Sequence, residues 1–493
     1  MKAYHRLLAF ILAALTLLLS CVSCDSDDID GSEISTSTAE TTDSETVTEA
    51  ETEYLPAVEK KNYGSDFYLS IQPDTNSIKY HWVEESDNDA MSQALFDRQQ
   101  KVYNYLGVNI IAKKTESGLF YVEPFKSAVK IKDGSVDALM THQYHGIDGF
   151  ITGNYLTDYN KVPQINLSAD YWNLDIMEDV ALHGRMYLGM SKFNILRAFV
   201  IAFNKDMMEK YDDALDESVY EMVDNYRWTL DKMIGLANLV YIDTTSDGQT
   251  SDDTFGIIGE HNAAFCSFFL SNDISMIEID DKGEYVISVY NETNRAKTTD
   301  IIEKLQNLAK SDSAWFWKYQ STDTVNFNKN QALMCLSSTY QLPAFLQNGT
   351  NFGVLPYPMY DENQKDVGYR TLQWGGYLCI PSYVNDIEMV GDTLEVMSFY
   401  SEDVSVTFYE KLLGKQASES PQDTKMLEIV WDGIGTDIAQ TYYSVFMDTQ
   451  FFHMMPLLTY EDAAENVASF MASKEKTVNK KLQKFLELVE RKQ

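Results

Sequence analysis

Four stretches of this 493-residue chain carry side chains able to do chemistry. The first is His142-Gln143-Tyr144-His145, between the apolar run VDALMT (136–141) and a glycine. Two histidines so close could begin a zinc site, but no third ligand and no His-Glu-x-x-His helix accompany them. The second is IDTTSDGQTSDDTFG (242–256), where Asp243 and Asp247-Gly248 fit a calcium loop. Thr245 replaces an acid there and Thr254 takes the closing position, so Asp243 and Asp247 are a weak calcium pair beside the plainer reading of an acidic turn. The third is Glu84, Glu85 and Asp87, between a strand-like run and a helical one. These carboxylates could accept hydrogen bonds from hydroxyls, and Asp87 could equally cap the helix that follows. The fourth is NFGVLPYPMYDENQKDVGYRTLQWGGYLCIP (351–381). Its prolines end a strand, because they donate no ladder hydrogen bond. Tyr369, Trp374 and Tyr377 follow, with Gly375 and Gly376 permitting unusual backbone angles and close approach. No Gly-x-Ser-x-Gly elbow occurs. Acidic residues are numerous enough for a hydrolytic pair, yet no motif pairs them. No cofactor is expected.

The elements that must position these residues read as alternating strands and helices. DFYLSIQ (66–72), IKYHWV (78–83), VNIIAK (108–113), VDALMT (136–141), AFVIAF (198–203), FGIIG (255–259), QALMCLS (331–337) and FGVLP (352–356) are strand-like. Helices are expected over 87–106, ended by Gly107; from Asn204-Lys205; over 228–240 behind Thr229 as N-cap; over 301–311; and in two stretches after Pro381. This alternation predicts an α/β fold with mainly parallel sheets, whose ligands sit at the carboxyl ends of strands. His142-Gln143-Tyr144 falls at such an end.

The length calls for two to four domains or one large two-lobed one. A net charge of −36 argues against nucleic acid and against a basic membrane-binding patch. MKAYHRLLAFILAALTLLLSCVSC opens the chain as an export signal: Lys2 and Arg6, then an apolar run from Leu7 to Leu19. Leu18-Leu19-Ser20-Cys21 resembles a bacterial lipobox, with Cys24 as the alternative lipidation site; an ordinary secretory signal is the plainer reading. From Asp25 to about Lys61 the chain is Ser, Thr, Asp and Glu with few apolar residues, expected to be a disordered acidic tether. Cys266, Cys335 and Cys379 are widely separated in apolar runs and read as buried free thiols.

Several fragments together resemble the family 1 extracellular solute-binding proteins, the receptors of carbohydrate ABC importers, to which maltose-binding protein belongs. They are INLSADYWN (165–173), GRMYLGMSKFN (184–194), FNKDMMEKY (203–211), YRWTLDKM (226–233), FNKNQALMCLSSTY (327–340) and FGVLPYPMYDENQ (352–364). Their order and spacing, not any one of them, carry the resemblance, which spans roughly residues 62 to 480. It implies a two-lobed periplasmic-binding-protein-like fold, each lobe a mainly parallel sheet flanked by helices. Three segments would cross between the lobes, near Phe193–Val200, Arg370–Tyr377 and Trp431–Tyr442. The implied divisions are a signal peptide (1–21), the tether (22–61), lobe 1 (62–195 and 373–435) and lobe 2 (196–372 and 436–493).

The resemblance also implies a carbohydrate ligand, an ABC permease as partner, no catalysis, and a monomer anchored by lipid to the outer face of the bacterial cytoplasmic membrane. A sugar ring offers apolar C–H faces and a hydroxyl rim, so aromatic platforms with fixed hydrogen-bonding groups suit it. By match to the family pattern, His142, Gln143 and Tyr144 belong to the first lobe's ligand loop. Tyr340 is the second lobe's stacking aromatic, Trp374 and Tyr377 lie at the second crossing, and Tyr171 and Trp172 precede the first. A core role is the alternative for each aromatic. Two other functions fit a similar sequence: a surface glycan-binding protein not coupled to an importer, and a secreted glycoside hydrolase.

Overall fold

The structure is a computed structural model. It describes residues 56–71, 80–87, 89–115, 121–211, 214–261, 263–318, 324–409, 420–459 and 466–491. The export signal, Cys21, Cys24 and the tether up to residue 55 lie outside the described residues. From Ala57 onward the chain forms one compact unit built on two main sheets.

The first sheet has the order β13-β3-β1-β2, with β1 Ser65–Ile71, β2 Val108–Lys114, β3 Ala138–His142 and β13 Gly376–Cys379. Strand β1 runs parallel to β2 and β3, and β13 closes the edge antiparallel to β3. Phe67, Leu69 and Ile71 alternate along β1 and are buried, as a strand with a covered face requires. The helix Ala90–Leu106 starts at Asp89, whose carboxylate accepts from the Met91 and Ser92 amides; it ends at Gly107, φ +62°. Asp89, not Asp87, is therefore its cap. The run 78–83 shows no strand over its described residues, Tyr80 to Val83. Its carbonyls are taken by this helix instead: Arg98 donates to the His81 oxygen at 2.5 Å, and Gln99 to the Val83 oxygen at 2.8 Å.

The second sheet has six strands, in the order β11-β4-β10-β6-β5 with β9 beside β6. They are β4 Phe199–Asn204, β5 Tyr241–Ile242, β6 Thr254–His261, β9 Ala314–Lys318, β10 Ala332–Ser338 and β11 Phe352–Leu355. Only β10–β6 and β6–β9 are parallel; β4 pairs antiparallel with both β10 and β11. This sheet is mixed where the alternation of elements predicted a mainly parallel one. A small hairpin, β7 Ile277–Ile279 with β8 Tyr285–Ile287, stands apart. Asn204 and Thr229 cap their helices as expected.

Between the sheets, three segments lie side by side. β12 (Thr371–Leu372) pairs with β14 (Ile434–Gly435), and Ala198 bridges to Gln373. The Trp374 amide donates to the Arg197 oxygen and the Gln373 amide to the Gly435 oxygen, each at 2.7 Å. Packing here is close: a Cβ on Gly433 would lie 2.1 Å from the Tyr369 oxygen. Gly375 and Gly376 have no positive φ, so only close approach is needed of Gly376, whose added Cβ would sit 3.2 Å from the Thr141 oxygen. The helix Val467–Glu490 lies across both sheets' helices, with Glu475 paired to Arg295 at 2.9 Å and the Val489 oxygen accepting from Arg185 at 3.4 Å.

Cys266, Cys335 and Cys379 are buried free thiols. Among the described residues no helix is long and apolar enough to cross a membrane, and no three His, Cys, Asp or Glu side chains are grouped to hold a metal ion. In the acidic loop, Asp243 accepts from the Ser246 and Gly248 amides at 2.5 and 3.1 Å, and Asp247 accepts from the Thr245 hydroxyl.

Candidate functional site

Strand β3 ends at His142, opposite Gly376 of β13, and the chain then turns so that the Tyr144 amide donates to His142 Nδ1 at 3.3 Å. This turn sets the Tyr144 ring against Trp374, 4.7 Å between centroids, and Tyr443, 4.5 Å. His142 meets the same Trp374 at 5.2 Å. Phe452 and His453 complete the group at 6.3 and 5.7 Å from Tyr144. The Tyr144 hydroxyl and His453 Nε2 are hydrogen-bonded at 3.1 Å.

These rings come from three directions. Tyr144 extends from the first sheet, and the helix Tyr443–Phe446 packs beside the helix Ile147–Thr152 that follows it. Trp374 is fixed at the crossing by the hydrogen bond its amide donates to the Arg197 oxygen. Phe452 and His453 belong with the second sheet: Cys266 donates to the Phe452 oxygen at 3.4 Å, and Thr459 bonds His261 of β6 at 3.0 Å. The helix between them, Met454–Thr459, packs on Ala263–Ser271 and Glu292–Ala309. His142, Tyr144, Trp374, Tyr443 and His453 are each half-buried.

The group is electrically neutral in its key members. Burial pushes the His453 imidazole down to about 4, so it is uncharged at neutral pH. Burial raises the Tyr144 hydroxyl, which stays protonated. Beside them, Gln143 is 1% exposed, and neither its amide nitrogen nor its oxygen has a hydrogen-bond partner among the described residues. A buried amide of that kind costs folding energy unless a ligand or water satisfies it. The arrangement can stack flat apolar faces and bond neutral hydroxyls.

Four expected residues use their polar atoms in the interior instead. Tyr171 and Trp172 are buried and both donate to Glu395 of the helix Ile387–Phe399, Trp172 Nε1 at 2.8 Å. Tyr377 is buried in β13 with its hydroxyl against Thr436 and Thr441 at 3.2 and 3.1 Å. Tyr340 is buried beyond β10; its hydroxyl donates to the Ile195 oxygen at 2.6 Å and its ring packs on Tyr80 at 5.0 Å. Glu85 and Asp87 are exposed on the loop ahead of the helix Ala90–Leu106, where Asp87 accepts from the Asp89 amide at 3.2 Å. Sequence reasoning missed Tyr443, Phe452 and His453. The only local signal for them is aromatic density, TYYSVF and FFH, more than 290 residues beyond Tyr144.

No protein-family model matches the sequence, and no curated protein does. Solved structures do match. The chain is similar to an ABC substrate-binding protein of Listeria monocytogenes in complex with cycloalternan, at 11% identity and TM-score 0.56, over 85% of this chain and 99% of that one. It is also similar to the GacH receptor of Streptomyces glaucescens, solved unliganded and with acarbose and an acarbose homolog, at 13% identity and TM-score 0.54, over 84% and 98%. The likeness places the chain in a fold class: the two-lobed α/β fold of periplasmic binding proteins.

Proposed function

We propose that this chain is the receptor of a carbohydrate ABC importer, of the family 1 extracellular solute-binding type. It captures a sugar or oligosaccharide between its lobes and hands it to the permease. The single observation that carries the ligand class is the half-buried ring group of Tyr144, Trp374, Tyr443 and His142 beside the unpartnered amide of Gln143. Rings offer platforms for pyranose faces, and Gln143 and His453 offer neutral partners for hydroxyls. The two similar structures are described in complex with cycloalternan in one case and with acarbose and an acarbose homolog in the other.

Ligand touching both lobes binds the closed arrangement better and shifts the population toward it. No bond of the ligand is made or broken, so the receptor is not an enzyme. Export and lipidation at Cys21, or at Cys24, tether it to the outer face of the membrane, where a monomer reaches its permease. Binding needs no cofactor in this reading.

A thermal-shift panel of mono- and oligosaccharides on the mature chain tests it. A ligand that binds only the folded state raises the melting temperature by mass action. A shift confined to one glycan class, together with lost uptake on gene deletion, is the expected result. A flat panel removes carbohydrate as the ligand; binding without an uptake defect removes the importer.

A further inference from the structure

We infer that Tyr144 and His453 form a latch between the lobes, which closes the site on itself and which ligand must open. Tyr144 stands on the turn after β3 of the first sheet. His453 is held to the other lobe through the Phe452 oxygen on Cys266, and through the helix Met454–Thr459, whose Thr459 bonds His261 at the end of β6. The bond between the Tyr144 hydroxyl and His453 Nε2, at 3.1 Å, therefore joins elements of the first sheet to elements of the second; the Tyr285 hydroxyl of β8 makes a further link, accepting from the His183 amide at 2.9 Å.

Rotation about the crossings treats this bond differently from its neighbours. The bonds of β12 with β14, and of Ala198 with Gln373, lie within the crossing segments and can persist as the lobes swing. A side-chain bridge from wall to wall cannot. The contact of Tyr80 with Tyr340, 5.0 Å between centroids, is buried beside the first crossing, with the Tyr340 hydroxyl already donating to the Ile195 oxygen, so it is not the group a hydroxyl-bearing ligand would replace. The Tyr144 ring, by contrast, lies between Trp374 and His453, with its hydroxyl on the imidazole. Any ring stacked on Trp374 in that space must take the hydroxyl's place, or turn it away. Tyr144 and His453 satisfy each other, while Gln143 beside them satisfies nothing. The ligand gains the Gln143 amide and one freed partner in exchange for the latch. Apparent affinity is reduced by whatever fraction of molecules the latch holds shut. This consequence for ligand rests on the receptor reading; the latch itself does not.

The test reads inter-lobe distance without ligand. Spin labels are placed at the exposed positions Asp133→Cys, in the first lobe, and Lys232→Cys, in the second, of a chain carrying Cys21→Ser and Cys24→Ser; the three remaining cysteines are buried. The parent should show a population at the distance of this structure. Tyr144→Phe removes only the hydroxyl and should raise the ratio of longer to shorter distances roughly two- to tenfold, the range for one neutral hydrogen bond. His453→Phe should do the same from the other side, and the double variant should go no further than either single one. Unchanged distances in both variants, or a parent without the short population, overturn the latch. If Tyr144→Phe does not fold, His453→Phe and the parent distribution still decide. A failed latch leaves the glycan panel to be read on its own, and a flat panel leaves the distances to be read.

Discussion

Tyr171 and Trp172 pack near the first sheet, as Tyr144 does: Trp172 meets Tyr159, whose hydroxyl donates to the Leu378 oxygen of β13, and by residue type nothing separates the two groups. Their surroundings do. Tyr171 and Trp172 are buried and their polar atoms converge on Glu395, which also accepts from the Asn166 amide at 3.1 Å. Tyr144, Trp374, Tyr443 and His453 are half-buried and draw on elements of both sheets, and Gln143, next to Tyr144 in the chain, has an amide with no hydrogen-bond partner among the described residues. The first group is a closed hydrogen-bond account that needs nothing from outside. The second is finished only by a ligand, by water or by the lobe opposite. Satisfaction, more than aromaticity, marks the difference between a core and a binding surface.

Glu395→Ala should break that comparison most strongly. It leaves the Tyr171 hydroxyl, the Trp172 indole N–H and the Asn166 amide without their acceptor, at about 1–3 kcal/mol for each buried donor. A loss of about 3 kcal/mol in urea unfolding is expected, with glycan affinity within twofold of the parent. A selective loss of affinity instead would place Tyr171 and Trp172 at the ligand.

Acid should act on the second group. His453 is depressed to about 4 from an ordinary 6.5, so the unfolded chain binds its proton first. The sign follows: its contribution is fully present above pH 6.5 and is lost as pH falls toward 4, by up to about 3 kcal/mol. Melting curves of the parent and of His453→Phe should converge over that window, the variant losing less on acidification. Parallel pH profiles would show that His453 is accessible and unperturbed. Trp374→Ala comes next, with an expected loss of about 2 kcal/mol in glycan binding, the scale of a buried aromatic anchor. Calorimetry of the folded variant reads it.

Much of the frame was legible because it is local. The alternation of Phe67, Leu69 and Ile71, the apolar run of β4 and the caps at Gly107, Asn204 and Thr229 each depend on a few neighbouring residues. Strand direction in the second sheet was not local: β4 pairs with β10 and β11, more than 120 residues on, and nothing within β4 records that they run against it. The run 78–83 has the side chains of a strand, but the carbonyls at 81 and 83 are claimed by Arg98 and Gln99. At the site, the loop after β3 and Trp374 could be named from type and setting. That Trp172 is satisfied could not, since its acceptor is 223 residues away. Nor could the arrival of His453 from near the end of the chain.

Gln143 gives the smallest expected change and the sharpest one. A buried amide that bonds nothing lowers the stability of the folded chain; leucine fills a similar volume without polar atoms to desolvate. Gln143→Leu should therefore leave the melting point of the ligand-free protein unchanged, or raise stability by about 1 kcal/mol. The same substitution removes a donor and an acceptor that ligand hydroxyls would use, so glycan affinity should fall about tenfold. A core glutamine held by unseen water would behave oppositely, losing stability and leaving affinity alone. The two readings thus differ in sign on one axis and in presence on the other, and one pair of melting curves, with and without glycan, separates them.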